Sequence, residues 1–411
     1  MTHAPTANRR PHASPVTTRA IVAGATMVAL IALSSPRHAA AQESVDSVLA
    51  FLLTPRSIDT GDAAADGQAT AAAGGAIAGS LVAGTAMLPA ATSAGGFAFR
   101  LDNALGGAAV RSSAAFGALF TERALTAGRG SGSLDLSFRR TAFDTFDGRD
   151  LRDGTLRVTA RRIEGEADPV DVESIALRLD TNVVTLTGTY GVADRVDIAG
   201  IVPLIRLTLR GERIDTYRGQ TFLLSSAEAT TSGIGDIALR VKYNLLRQIG
   251  SGVAVTAQLR LPTGREEDLL GSGDTTFQPG VVGSLERGRI ALDGNVGYST
   301  GGPSGELVYG AAVTVMGTPR LMLIGEVAGR RLGSAARLVE SVAPHPGLTG
   351  IETIRLSATD EPGQRVMAVG GVKWNPSGSW LLSASVLRRL TAGGLTADWV
   401  PGASIEYVIG Q

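Results

Sequence analysis

The 411-residue sequence predicts an all-β fold: a transmembrane antiparallel up-and-down β-barrel of about twelve strands, preceded by an Ala/Gly-rich N-terminal segment. Three observations carry that expectation. Apolar and polar residues alternate with period 2 from Gly130 to near the C-terminus, broken by Gly, Pro, Asn and Asp clusters and without a sustained helical stripe. The connections between the alternating segments are short and long by turns, and the strand lengths suit a tilted bilayer crossing of roughly 9–11 residues.

Composition narrows the chemistry. The chain holds 38 basic and 38 acidic residues, 53 glycines and no cysteine. No thiolate nucleophile, disulfide framework or Cys-type metal site is therefore available, and zero net charge removes the electrostatic case for nucleic-acid binding. Of the four histidines, only His345 lies beyond the extreme N-terminus. All but two of the cations, Lys242 and Lys373, are arginines.

Taken in order, residues 1–41 are expected to be a secretory signal peptide. Arg9, Arg10 and Arg19 precede the apolar run Ala20 to Leu33, and His38-Ala39-Ala40-Ala41 offers a small-residue cleavage site before Gln42. That run is short of the ~20 residues a spanning helix needs. Cleavage removes four Arg and no acid, so the mature chain carries 34 basic against 38 acidic residues, a net −4.

Residues 42–129 are expected to form an internal plug, a periplasmic segment or a poorly ordered leader, with a spanning helix over Ala71 to Ala91 as the alternative. Gln68 to Phe99 carries no charge at all, but its apolarity rests mainly on Ala, Gly, Ser and Thr. The pair Gly75-x-x-x-Gly79 is a packing face only inside a genuine span. Val48 to Leu53 suggests a short helix, and Phe97, Phe99 and Leu101 a strand.

Residues 130–411 are the expected outer-membrane barrel. Its strands lie near 131–143, 172–191, 195–210, 233–246, 252–262, 274–285, 289–299, 305–317, 320–332, 364–375, 380–391 and 397–409. In GDIALRVKYNLL, Ile237, Leu239, Val241, Tyr243 and Leu245 share one face, and Asp236, Arg240, Lys242 and Asn244 the other. Short turns at Val192 to Asp194, Arg247 to Ser251, Glu286 to Gly288, Thr318 to Pro319 and Pro376 to Ser379 alternate with longer links. Those at 144–171, 211–232 and 333–363 exceed 20 residues and are expected to be loops. Short turns on one rim and long loops on the other are the pattern of an outer-membrane barrel whose turns face the periplasm. Tyr190, Tyr243, Trp374 and Trp380 flank the short turns, and Tyr298, Tyr309 and Trp399 lie toward the other rim, as two interfacial aromatic belts would require.

The polar face is where a function would reside. Asp236, Arg240, Lys242, Gln258, Arg260, Asp293, Asn295, Glu326, Arg330, Lys373, Arg389 and Glu406 are expected to line a roughly charge-balanced lumen. An Arg or Lys facing lipid at the midplane costs about 2–4 kcal/mol, so inward is the economical direction. A network of ion pairs that fills the bore is the alternative.

The runs SGIGDIALRVKYNLL (Ser232 to Leu246), QLRLPTG (Gln258 to Gly264), GSGDTTFQPGVVGS (Gly271 to Ser284) and VGGVKWNPSGSWLLSASVL (Val369 to Leu387) resemble the meta-pathway phenol-degradation family of outer-membrane proteins. The resemblance covers roughly residues 130–409 and implies a barrel similar to channels for hydrophobic and aromatic solutes. One departure is the end of the chain, Tyr407-Val408-Ile409-Gly410-Gln411, where such barrels usually finish on an aromatic residue.

Other motifs yield to simpler readings. Gly233-Ile-Gly235-Asp-Ile-Ala238 fits a dinucleotide fingerprint but leads into a strand rather than a helix. Arg265-Glu266-Glu267-Asp268 could hold a divalent cation but suits a solvated loop, and His345 between two prolines suits an exposed loop. No constellation for catalysis is evident, so no enzyme, metal or cofactor is expected. The expected function is passive uptake of small, hydrophobic or aromatic solutes through the bacterial outer membrane, in a chain placed there by the barrel-insertion machinery. A structural or surface-adhesive barrel with a filled lumen and partner-binding outer loops is the alternative.

Overall fold

The computed structural model describes residues 44–86, 99–102, 108–111, 113–302 and 304–409. The signal-peptide expectation for residues 1–41 lies outside the described residues, as do Phe97 and the last two residues. Two helices come first, α1 (Val45–Leu53) and α2 (Ala63–Ala86). The strands that follow are β1 (Phe99–Asp102), β2 (Ala108–Arg111), β3 (Gly132–Phe143), β4 (Thr145–Phe146), β5 (Arg149–Asp150), β6 (Leu156–Ile163), β7 (Asp171–Ala193), β8 (Val196–Tyr217), β9 (Gln220–Ile234) and β10 (Ile237–Gln248). They continue as β11 (Ser251–Leu261), β12 (Thr276–Arg287), β13 (Ile290–Ser299), β14 (Glu306–Thr318), β15 (Leu321–Pro344), β16 (Ile351–Trp374), β17 (Trp380–Arg389), β18 (Leu395–Thr396) and β19 (Trp399–Ile409).

Twelve of these, β3, β7, β8, β10 to β17 and β19, form a closed antiparallel up-and-down barrel. Closure comes from β19, which pairs with β17 on one side and, in the register Gly132↔Ile409, with β3 on the other. Each strand segment expected from the alternation falls on one of the twelve. A ring leaves no unpaired edge, the condition for strands to exist in lipid.

The three long links depart from the expectation. Much of 144–171, 211–232 and 333–363 is strand: β7 and β8 run for 23 and 22 residues, β15 and β16 for 24 each, and β6 is additional. Their upper halves stand beyond the barrel proper as a second storey. There β6 sits between β7 and β16, and β9 extends the row beyond β8. Among the described residues the upper parts of β9 and β15 have no strand partner on their other sides, above the shorter strands β10 to β14.

The two storeys wear opposite faces. In the lower one, apolar residues point out: Leu239 and Val241 are 50% and 47% exposed, while Lys242 and Asn244 on the opposite face are 1% and 0%. Phe138, Val184, Leu204 and Ile234 lie side by side across β3, β7, β8 and β9 on that outer face. The next outward row up, two residues along each strand or about 7 Å, is Arg140, Asn182, Arg206 and Ser232. The inner face changes in the opposite sense. Thr185, Thr187 and Thr189 line the lower part of β7, and Ile175, Leu177 and Leu179 the upper part.

The apolar interior of the upper storey receives the helices. Val48, Leu49 and Leu52 of α1 and Ala73, Ile77 and Leu81 of α2 share one buried cluster with Phe143, Leu177, Leu209 and Leu356 of the strands. Among the described residues no helix is long and apolar enough to cross a membrane, and α2 packs on β15 and β16 rather than spanning lipid. Ala supplies most of its helical propensity, and Asp62 opens it by accepting the Ala65 N–H at 3.0 Å. At Gly211 the backbone of β8 comes so near α1 that a Cβ would meet the Leu52 side chain. A buried ion pair fixes the end of α1. Arg213 meets Glu173 at 3.2 Å and donates to the carbonyls of Phe51 and Leu52, while Glu173 accepts the N–H groups of Arg56 and Ser57. A cation on the last carbonyls and a carboxylate on the next free N–H groups answer the polar groups that a helix end leaves unpaired.

Candidate functional site

The interior of the lower storey is crossed by an irregular segment, residues 113–131, whose backbone is bonded largely to side chains of the wall. Buried backbone must find partners, and here strand side chains supply them. Glu326 accepts the successive N–H groups of Leu119, Phe120 and Thr121, the last at 2.8 Å, and the Thr121 hydroxyl at 3.0 Å. Opposite charges hold the carbonyls. Lys373 donates to Gly117 and Ala118 at 2.8 and 2.7 Å, and Lys242 to Leu125 at 2.9 Å and Arg123 at 3.2 Å. Asn244 donates to the Ala124 carbonyl at 2.7 Å, and Asp197 accepts the Ala127 N–H at 3.0 Å. Side chains of the segment join in, with Glu122 bonded to Arg240 at 2.7 Å and to Lys242 at 3.0 Å.

The residues expected to line the lumen fall into two groups. Lys242, Glu326 and Lys373 hold the segment, and Asp293 does so at one remove: its carboxylate takes the Ser284 hydroxyl at 2.6 Å, and Ser284 accepts the Ala124 N–H. Glu406 faces Asp135 across the strands in the same buried zone. Asp236 stands elsewhere, buried at the strand end where it accepts N–H groups from Gly264 and Ser272. The second group, Arg240, Gln258, Arg260, Asn295, Arg330 and Arg389, surrounds a chamber of about 160 Å³ above Phe120 and below the end of α2. The charge balance along the strands is thus not a balance within the lumen.

Gln258, Arg260, Gln278, Arg330 and Arg365 are shared with a second cavity, a vestibule of about 770 Å³ bounded by the Gly75 and Gly79 side of α2. A Cβ at either glycine would meet nothing within 4 Å, so this pair faces open space rather than a helix. Sequence reasoning overlooked Arg365, Asp135, Arg139 and Asp197. Arg365 has the parity of Lys373 on one strand, and Asp135 and Arg139 alternate with Leu134 and Phe138, so counting by twos would have found them. Nothing local in the sequence marked Glu122 or the run 113–131.

The aromatic side chains named for the two rims stand outward: Tyr190, Tyr243, Trp374 and Trp380 at the short-turn end, and Tyr298 and Trp399 at the other. Tyr309 lies over Gly329 on the neighbouring strand, where a Cβ would strike its ring. Tyr407 packs on Trp380 with ring centres 4.8 Å apart. His345 caps the β15–β16 turn, half-buried, its Nε2 3.2 Å from the Asp59 carbonyl. In the acidic loop Arg265 pairs with Asp268 at 2.6 Å, and among the described residues no group of His, Asp and Glu is arranged to hold a metal. Gly235, in the glycine motif, forms the join between β9 and β10, its N–H bonded to the Pro203 carbonyl.

Three solved structures illustrate the likenesses of shape. The COG4313 outer membrane channel from Pseudomonas putida F1 aligns with 68% of this chain and 96% of its own at 14% identity and a TM-score of 0.43. A FadL homologue from Pseudomonas aeruginosa covers 68% and 88% at 8% identity and 0.32, and OprB from Pseudomonas putida 68% and 93% at 11% identity and 0.28. No curated protein matches the chain. At the level of sequence, residues 165–317, from the end of the first long link through β14, match the family described as "Putative MetA-pathway of phenol degradation", the one the strand and turn motifs resemble.

Proposed function

We propose that the chain is an outer-membrane channel through which small solutes, hydrophobic or aromatic ones among them, pass by diffusion without a covalent step. One observation carries this reading: a wall with an apolar outer belt encloses a vestibule and a chamber that share polar walls. Such a belt, about as tall as the lower storey, fits the hydrocarbon layer of a bilayer. Residues 113–131 act as the plug that sets how far the path is open, and α1 and α2 narrow its outer mouth. Export by a cleaved signal peptide, with a mature N-terminus at Gln42, and assembly by the barrel-insertion machinery complete the proposal; N-terminal sequencing of the membrane-bound form checks the first.

A filled, structural barrel is the second reading, and the segment bonded across the lumen favours it. Liposome swelling separates the two. In the channel reading the intact protein admits small sugars and benzyl alcohol, and Glu326→Gln, which weakens the grip on three N–H groups, raises the rate. Vesicles that stay tight with both proteins, each shown to be folded by its heat-dependent gel mobility, contradict the channel.

A further inference from the structure

Among the described residues five arginines, Arg240, Arg260, Arg330, Arg365 and Arg389, line the chamber, against one carboxylate, Glu122. Three already have partners: Arg240 has Glu122, Arg330 has Glu306 at 2.8 Å, and Arg389 has Asp398 at 2.6 Å. Among the described residues Arg365 donates only to the neutral Ser80 hydroxyl, at 3.0 Å. Arg260 makes no hydrogen bond or ion pair among the described residues. Neither guanidinium therefore has a direct ion-pair partner among the described residues, and the carboxylates that act on them from further off, Glu306 on both, Asp236 on Arg260 and Asp147 on Arg365, are already bonded to Arg330 or to backbone N–H groups. Of the carboxylates that line the vestibule, Glu306 is taken by Arg330, and Asp46, Glu266, Glu267 and Asp360 are exposed to solvent, where water and salt screen them. The lining also includes apolar residues, Phe120, Phe143, Met367, Leu395 and Val400.

We infer that this chamber is a binding site for a small organic monoanion, a carboxylate carrying an apolar group of about one ring. The planar fork of Arg260 matches a carboxylate and is unengaged, and Gln258 and Gln278 stand beside it on the same wall. The apolar lining residues take the rest of the molecule, as in pockets that combine a greasy lining with a few placed polar groups. The volume of about 160 Å³ is that of one ring-sized guest, since an apolar cavity of about 150 Å³ holds benzene. Low-dielectric walls strengthen the attraction relative to water. The inference narrows the proposed channel to a solute class, and it rests on that reading only for how the solute arrives.

Equilibrium dialysis of the full chain in detergent micelles tests it, with radiolabelled benzoate and its neutral analogue benzyl alcohol as the probes at neutral pH. The expected result is saturable benzoate binding that weakens as chloride is added, with benzyl alcohol bound at least about tenfold less tightly. Arg260→Gln lowers benzoate affinity by about tenfold or more, leaves benzyl alcohol unchanged and keeps heat-dependent gel mobility; Arg260→Lys, which keeps the charge without the fork, restores only part of the loss. Arg365→Gln is the second variant and shifts the same ratio in the same direction. Equal binding of the two probes, or a benzoate affinity indifferent to both glutamine variants, overturns the inference. Because binding is read without transport, sealed vesicles in the swelling assay would sink the channel reading alone, and equal affinities would sink this one alone.

Discussion

The lower and upper storeys are built from the same strands, yet their faces are exchanged. Below the row Phe138, Val184, Leu204 the outside is apolar and the inside polar; above it the outside carries Arg140, Asn182 and Arg206 and the inside Leu179 and Leu209. The backbone does not change at that row. What changes is the solvent each face meets: lipid outside and a polar interior below, water outside and packed helices above. Amphipathic alternation therefore reports strand structure, while its sign reports the surroundings.

Breaking the upper storey should give the largest effect. Arg213→Ala leaves Glu173 buried without its cation and frees two carbonyls of α1; losing one partner of a buried pair costs about 3–5 kcal/mol. The expected outcome is release of α1 and α2, seen as new protease cleavage near residues 44–86, while the lower barrel keeps its heat-dependent mobility. Loss of that mobility too would mean the storeys do not fold as separable units.

Next comes a charge on the lower outer face. Leu186→Arg, in the row with Leu136 and Val202, should cost about 2–4 kcal/mol near the midplane, measured by urea unfolding in vesicles. The same change at Thr208, outward on β8 two rows above Leu204, should stay within about 0.5 kcal/mol, as surface substitutions do. Equal penalties would erase the distinction between the storeys.

The smallest expected effect concerns pH. Asp215 lies opposite Glu173 inside the upper storey, and burial first, then the nearby Asp171 and Glu173, hold its carboxyl above the usual carboxylate range. A raised folded-state value means the folded form keeps the proton longer, so this contribution is present at low pH and is lost as pH rises through the raised value. Asp215→Asn should flatten that acid-side gain in protease resistance; an unchanged pH profile would remove Asp215 as its source.

The twelve strands were legible because lipid outside and a polar interior impose one strict pattern, as in β10, where Leu239, Arg240, Val241 and Lys242 alternate without a break. The strand inside the three long links was not: β6, the end of β8 from Gly211 on, most of β9 and the upper halves of β15 and β16. There Gly211, Glu212, Gly219, Glu228 and Glu361 fall in segments rich in charge and glycine, which, judged against a lipid-facing template, read as loop. The site was legible at the level of direction: the alternation separates Arg260 and Lys242 from their apolar neighbours. Its division was not, because the segment 113–131 that engages Lys242, Glu326 and Lys373 makes its bonds through main-chain groups, which every sequence has and none announces.

The boundary between storeys is open to one direct measurement, since the chain has no cysteine and each introduced thiol reports alone. Single variants Val184→Cys, Leu204→Cys, Asn182→Cys and Arg206→Cys, displayed on intact cells, would be exposed to a membrane-impermeant maleimide. Labelling at Asn182 and Arg206 with protection at Val184 and Leu204 is the predicted result, a change within one outward row. Comparable labelling at all four positions would contradict it.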